Sequence, residues 1–262
     1  MREEHLIDGE RRRGRGTLSN VGSRYDRQKK SSIDDGWDSL ATLERFVTQT
    51  QIEQAESIIS RNDSPDLSFD QSINPYRGCE HGCVYCYARP THAYLGHSPG
   101  LDFETKLYAK ANAAEVLEAE LAKPGYLPRT IALGAVTDPY QQIERTYKIS
   151  RQILEVLERT SHPVGIVTKS ALVVRDIGIL RRLAKRDLVR VALSVTTLNR
   201  HVARTLEPRA ATPLRRLDAI RQLTEAGIPT TIMTSPIIPG LNDHEIEQLL
   251  CAGKESGAES AS

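Results

Sequence analysis

Cys79-Glu80-His81-Gly82-Cys83-Val84-Tyr85-Cys86 places three of the chain's four cysteines within eight residues. Cysteines at i, i+4 and i+7 would line one face of a helix. Pro75 and Gly78 precede the first cysteine and Gly82 separates the first two, so a loop is expected here instead. A loop can fold three thiolates round one centre. Clustered cysteines in an intracellular chain point to metal or catalysis rather than to a disulfide framework. Soft thiolates match iron, and iron–sulfur clusters are usually held by four cysteines. Three ligands would leave one iron of a four-iron cluster open to a substrate or cosubstrate. A closed zinc site is the rival, with His81, His92, His97 or Cys251 as its fourth ligand.

Outward from this loop, the bulk properties set the frame. A chain of 262 residues can bury a sizeable core, and one barrel-sized domain with an appendage is the natural expectation. The first 30 residues contain no apolar run, and no stretch approaches the ~20 apolar residues of a membrane span. A cytoplasmic protein is therefore expected. Net charge is +1, so attraction to a polyanion would have to be local. Residues 1–67 show no sustained period and read as a basic, largely irregular arm, with residues 68–262 as the barrel. Between positions 11 and 30 there are eight basic residues against the single acid Asp26. That is enough for phosphate contacts, or for a solvated tail. Leu40, Leu43, Phe46 and Val47 predict a short helix over residues 40–52, and Trp37 is placed to pin the arm to the body.

Beyond the loop, residues 87–110 carry His92, His97, Pro90 and Pro99 and read as an irregular surface. A crossover helix over residues 113–121 is followed by alternating strand and helix patterns. Strands are expected at 130–136, 164–168, 189–195 and 229–238, each run short and apolar as when both sheet faces are covered. Helices are expected from the stripes Ile149/Ile153/Val156/Leu157, Ile177/Leu180/Ala184, Leu214/Leu217/Ile220/Leu223 and Ile246/Leu249/Leu250. Such alternation implies parallel strands joined by right-handed crossovers, hence an α/β fold, a partial (β/α) barrel. With the strand near Ser72-Ile73 the count is five, and the chain is expected to end before a sixth strand. Four polar exits then stand at strand C-termini, where barrel chemistry gathers: Thr137 with Asp138, Lys169 with Ser170, Ser194 with Thr196, and Ser235 before the Pro236–Gly240 bend.

The pattern CxxxCxxC with an aromatic before the last cysteine (Cys79, Cys83, Tyr85, Cys86) resembles the radical S-adenosylmethionine (SAM) superfamily. Ser72-Ile73-Asn74-Pro75-Tyr76-Arg77-Gly78-Cys79 and Thr137-Asp138-Pro139-Tyr140-Gln141 are similar to its spore photoproduct lyase and DNA-repair-photolyase-like branch. The resemblance covers about residues 68–250 and implies a six-stranded partial barrel. It implies that Cys79, Cys83 and Cys86 bind a [4Fe-4S] cluster whose fourth iron is chelated by SAM. It further implies Tyr85 near the adenine and Thr137 and Asp138 near the methionyl end. Lys169 and Ser194 would lie near the carboxylate or ribose, and Ile237, Ile238 and Gly240 against the adenine. Reductive cleavage of SAM would give a 5′-deoxyadenosyl radical that abstracts a substrate hydrogen, with electrons from a partner such as flavodoxin or ferredoxin.

The branch suggests lyase chemistry on a DNA lesion, and the arm with Arg181, Arg182, Lys185, Arg186, Arg190, Arg200 and Arg204 would suit a phosphate backbone. One departure stands out. Photoproduct lyases return a hydrogen atom from a cysteine outside the cluster, whereas the second strand here has none and the spare thiol is Cys251. Tyr140 is the alternative donor. The competing function is a non-catalytic protein that binds metal, zinc or a relic cluster, together with nucleic acid.

Overall fold

A computed structural model describes residues 13–20, 22, 46–67 and 69–262. Its elements run in the order β1 (Gln49–Glu53), β2 (Ile59–Arg61), β3 (Gln71–Ile73), β4 (Tyr76–Arg77), α1 (Asp102–Thr105), β5 (Lys106–Lys110), α2 (Ala113–Leu121), β6 (Ile131–Leu133), α3 (Glu144–Tyr147), α4 (Ile149–Arg159), β7 (Val164–Thr168), α5 (Ile177–Ala184), β8 (Val189–Ser194), α6 (Arg200–Leu206), α7 (Pro213–Glu225), β9 (Thr230–Met233), α8 (Ile246–Glu255) and β10 (Ser260–Ala261).

The main sheet has seven strands in the order β10-β9-β8-β7-β6-β3-β2. Every neighbouring pair from β3 to β10 is parallel, and β2 pairs antiparallel with β3 at the edge. The expected α/β partial barrel is therefore present. Ile131 and Leu133, Val164 and Ile166, and Val191 and Leu193 are all buried in one core with the helix stripes. The α4 stripe of Ile149, Ile153, Val156 and Leu157 is wholly buried against that sheet, as period 3.6 requires.

The ends of the pattern needed correction. The chain does not stop short of a sixth parallel strand, because Ser260 and Ala261 pair in parallel with Thr231 and Ile232. The Ser262 amide donates to the Ile232 carbonyl (3.0 Å), and the Thr234 amide donates to the Ser262 carbonyl (2.8 Å). Three small residues carry no readable β signal. It is the open edge of β9 that recruits them. Leu214, Ile246 and Leu250 are exposed rather than inward, so the stripes of α7 and α8 are narrower than expected. Residues 49–53 form a strand, not the end of a helix. Lateral pairing of β1 with β5 overrides a weak helical period there. Residues 40–45 of that expected helix, Trp37, Arg11 and Arg12, and Arg24 to Lys30 lie outside the described residues.

A second, three-stranded sheet, β1-β5-β4, stands beside the loop that follows β4. This is the cysteine loop. It is irregular, as its glycines predict, with Gly82 at φ +66° in the left-handed region that disfavours side chains.

Candidate functional site

Cys79, Cys83 and Cys86 line one cavity of ≈ 130 Å³ at the C-terminal ends of β6 and β7. Thr137, Asp138 and Lys169 line it too, as do His81, Tyr87, Val136 and Thr168. Ser194 is buried nearby in sequence order at the end of β8, but it is not among the lining residues, and its hydroxyl has no hydrogen-bond partner among the described residues. Ile237, Ile238 and Gly240 also lie off this cavity. Their loop is closed on itself: the Ile238 amide donates to Asn242 Oδ1 (2.6 Å) and the Gly240 amide to Asp243 Oδ1 (2.9 Å).

The loop that carries the cysteines is clamped from several sides, and the Thr137–Gln141 motif is the chief clamp. Thr137 Oγ1 donates to the Gly78 carbonyl at 2.6 Å, and Gln141 Nε2 donates to the same carbonyl at 3.1 Å. The Glu80 amide donates back to Gln141 Oε1 at 2.9 Å. Gln141 is fully buried. It was quoted in the motif with no role, and only the fold reveals that it answers two backbone groups of the loop. Replacing it by leucine leaves the Glu80 amide unpaired in the interior. The expected cost is about 2 kcal/mol, read as a lower urea midpoint with an unchanged slope.

Asp138 is the second clamp. Its carboxylate faces His81 (3.2 Å) and accepts from Thr168 Oγ1 (2.7 Å), the Lys169 amide (2.8 Å) and the Tyr140 amide (2.8 Å). Burial pushes this carboxyl up, yet the His81 charge and the hydrogen bonds outweigh it and hold it at about 2. Asp138 thus ties the cysteine loop to the end of β7 as a fixed anion.

Tyr85 points away from the cavity. Its hydroxyl donates to Glu207, which Arg216 pairs with and to which Thr196 donates at 3.0 Å. Lys169 Nζ stands 5.7 Å from the Tyr85 ring centre. The aromatic that does line the cavity is the next one, Tyr87, whose hydroxyl donates to the Ala135 carbonyl. Tyr140 is fully buried, donates to Asp176 Oδ2 at 3.2 Å and is not among the lining residues. Cys251 is exposed on α8 and likewise off the cavity.

The three thiols are soft donors suited to a metal centre. Burial pushes the Cys83 thiol up to about 12 despite the nearby Lys169, and pushes the Cys79 thiol well above its ordinary value. Thiolates in such a place need a cationic centre to neutralise them. Among the described residues no group of three His, Cys, Asp or Glu side chains converges as one ion would need. The three histidines that could complete a zinc site each have a partner within the protein. His81 faces Asp138, His92 is buried with Nε2 on the Lys106 carbonyl (2.8 Å), and His97 meets the Tyr108 hydroxyl (2.6 Å).

Comparison with known proteins converges on one family. The family profile described as "Radical SAM superfamily" matches residues 73–250. An uncharacterized protein of Mycobacterium tuberculosis is 39% identical over 194 residues, spanning 73% of this chain and 57% of that protein. A Pseudomonas phage M6 protein named radical SAM Nalpha-GlyT isomerase is 28% identical over 184 residues, covering 68% of this chain and 35% of that one. The chain thus spans under two thirds of these relatives' length. Spore photoproduct lyase in complex with dinucleoside spore photoproduct superposes with a TM-score of 0.60 at 19% identity, over 80% of this chain and 58% of that structure. At that identity the match speaks for the fold.

Proposed function

Because the chain belongs to the radical SAM superfamily, whose members use a [4Fe-4S] cluster and SAM, we propose that Cys79, Cys83 and Cys86 hold the cluster and that the protein reductively cleaves SAM. The observation that carries this reading is the meeting of three thiols, two of them buried, on one cavity at the strand ends. When bound and reduced, the cluster supplies the electron that breaks the sulfonium carbon–sulfur bond of SAM.

The chain's own residues supply position. Thr137 and Gln141 fix the backbone carrying Cys79, while Asp138 and His81 set the wall opposite it. Lys169 is the lining cation that would meet the carboxylate of SAM, and Tyr87 would cover the mouth. Thr168 and Asp138 hold each other at the cavity wall. A reductant such as flavodoxin or ferredoxin completes the reaction. No helix among the described residues is long and apolar enough to cross a membrane.

For the substrate we assign nucleic acid, supported by charge at the site's own end of the barrel. The Leu206 carbonyl at the end of α6 accepts from the Val84 amide in the cysteine loop (3.0 Å), and the exposed Arg200 and Arg204 on α6 carry no ion pair among the described residues. Arg182 and Arg186 on and beyond α5, by contrast, pair with Glu158. The ligand in the spore photoproduct lyase complex, a dinucleoside spore photoproduct, is of the same class.

The test is anaerobic purification with iron and sulfide analysis, then dithionite and SAM with chromatography for 5′-deoxyadenosine. About four irons and four sulfides per chain and reductant-dependent nucleoside are expected, with yield raised by single- or double-stranded oligonucleotides. A colourless, zinc-loaded protein would overturn the assignment.

A further inference from the structure

Two of the described residues of the basic, glycine-containing tract, Arg15 and Ser19, are buried. Arg15 is buried, its Nη1 donating to the Glu104 carbonyl (2.9 Å) and its Nη2 to Thr48 Oγ1 (2.9 Å). It is unavailable for the phosphate contacts that the tract's charge suggests.

The next two residues meet a carboxylate with no solvent exposure, Glu104. The Gly16 amide donates to its Oε2 (3.0 Å), and the Thr17 amide (3.0 Å) and hydroxyl (2.6 Å) donate to its Oε1. Arg89 donates to the same Oε1 at 2.7 Å, and its Nη2 also donates to the Cys83 carbonyl at 2.8 Å. One buried anion therefore joins the arm to the backbone of a cysteine. Further along, Asn20 and Asp102 exchange two hydrogen bonds (3.0 and 3.1 Å). The fit is close: a Cβ on Gly16 would stand 1.8 Å from the Gly82 carbonyl oxygen, so only glycine allows this approach. Residues 14–19 then wall a second cleft, ≈ 930 Å³, on which Cys86 also opens.

We propose that residues 15–20 form a strap that closes the outer side of the cysteine loop, and that Glu104 is the positioning residue that docks it. Three of the four donors to this buried carboxylate come from residues 16 and 17, and without them Arg89 alone would answer it. The strap keeps water and oxidants from Cys83, whose carbonyl Arg89 holds. The idea rests on reading the cysteine loop as the reaction centre, but its test does not depend on a loaded cluster.

The experiment is pulse alkylation of the metal-free, reduced chain with iodoacetamide, followed by mass spectrometry of the Cys83 peptide against exposed Cys251 as internal reference. Two substitutions perturb the strap from opposite sides, Glu104→Gln and Gly16→Ala, and the second leaves the barrel untouched. Each is expected to raise the Cys83 rate about tenfold relative to Cys251, the factor that follows from losing one charge-assisted hydrogen bond. An unchanged Cys83 rate in Gly16→Ala overturns the proposal. So does equal acceleration at Cys251, which would mean general loosening. If the strap fails while iron and sulfide bind, the radical SAM reading stands; the converse result separates the two just as clearly.

Discussion

Replacing Cys83 by alanine is expected to reduce bound iron and sulfide to background and to abolish reductant-dependent 5′-deoxyadenosine. Cys83 sits in the middle of the loop, buried, with Cys79 on one side and half-buried Cys86 on the other. Its carbonyl is fixed by Arg89 and the following amide by Leu206. Removing one of three soft donors leaves two, too few to retain a cluster that SAM must also share. Cys251→Ala is the matched control, since that thiol is exposed on α8, and it should retain full iron. Iron retained at the wild-type level in Cys83→Ala would show that other residues hold the metal. Because the alanine side chain fits where a buried thiol was, the apo protein should remain folded, and circular dichroism of both variants separates ligand loss from unfolding.

The second large effect is expected from Arg216→Met. Arg216 is almost wholly buried; it pairs with Glu207 and donates to the carbonyls of Ala211 (2.7 Å) and Ser194 (2.8 Å). Burial pushes the Glu207 carboxyl up, and the Arg216 charge outweighs that and keeps it below its ordinary value. Without the arginine, Glu207 is a buried anion held by hydroxyls alone. Breaking such a pair costs roughly 3–5 kcal/mol, which in a domain of this size lowers the melting temperature by about 6–20 °C. Calorimetry of the metal-free protein measures it. The double variant Arg216→Met with Glu207→Gln should recover a large part of the loss, since both charges are then gone. A fall below about 1 kcal/mol would mean that water reaches the pair. Tyr85 is coupled to this result, because its hydroxyl donates to Glu207 and so anchors the cysteine loop to the end of β8 and the start of α7.

Much of the site was legible because its signals are local. Three cysteines at a fixed spacing, with glycines where the chain must turn, announce a metal loop without any neighbours. Thr137, Asp138 and Lys169 were found by a topological rule, since residues leaving parallel strands must gather at one end. The same rule placed Ser194 and Ile237 to Gly240 at that end, but it could not say which side chains reach the cavity. Depth and rotamer decide that, and neither has a period.

The sequence by itself determined the alternation of the main strands and helices from β6 to α8, the parallel α/β fold and the cluster of three cysteines, because periods of 2 and 3.6 and Gly/Pro punctuation act within a few residues. Only the tertiary structure decided what surrounds the thiols. Glu104, Glu207, Gln141 and Arg89 look like ordinary polar residues in the chain, and each becomes a hub only in the fold, as where Arg89 reaches Glu104, 15 positions away, and Glu207 meets Tyr85, 122 positions away. It also turned Arg15 from surface charge into core and Ser260–Ala261 into a sixth strand. The physical reason is common to all of them: the energy of a buried charge or an open sheet edge belongs to its environment, which comes into being only when the chain closes on itself.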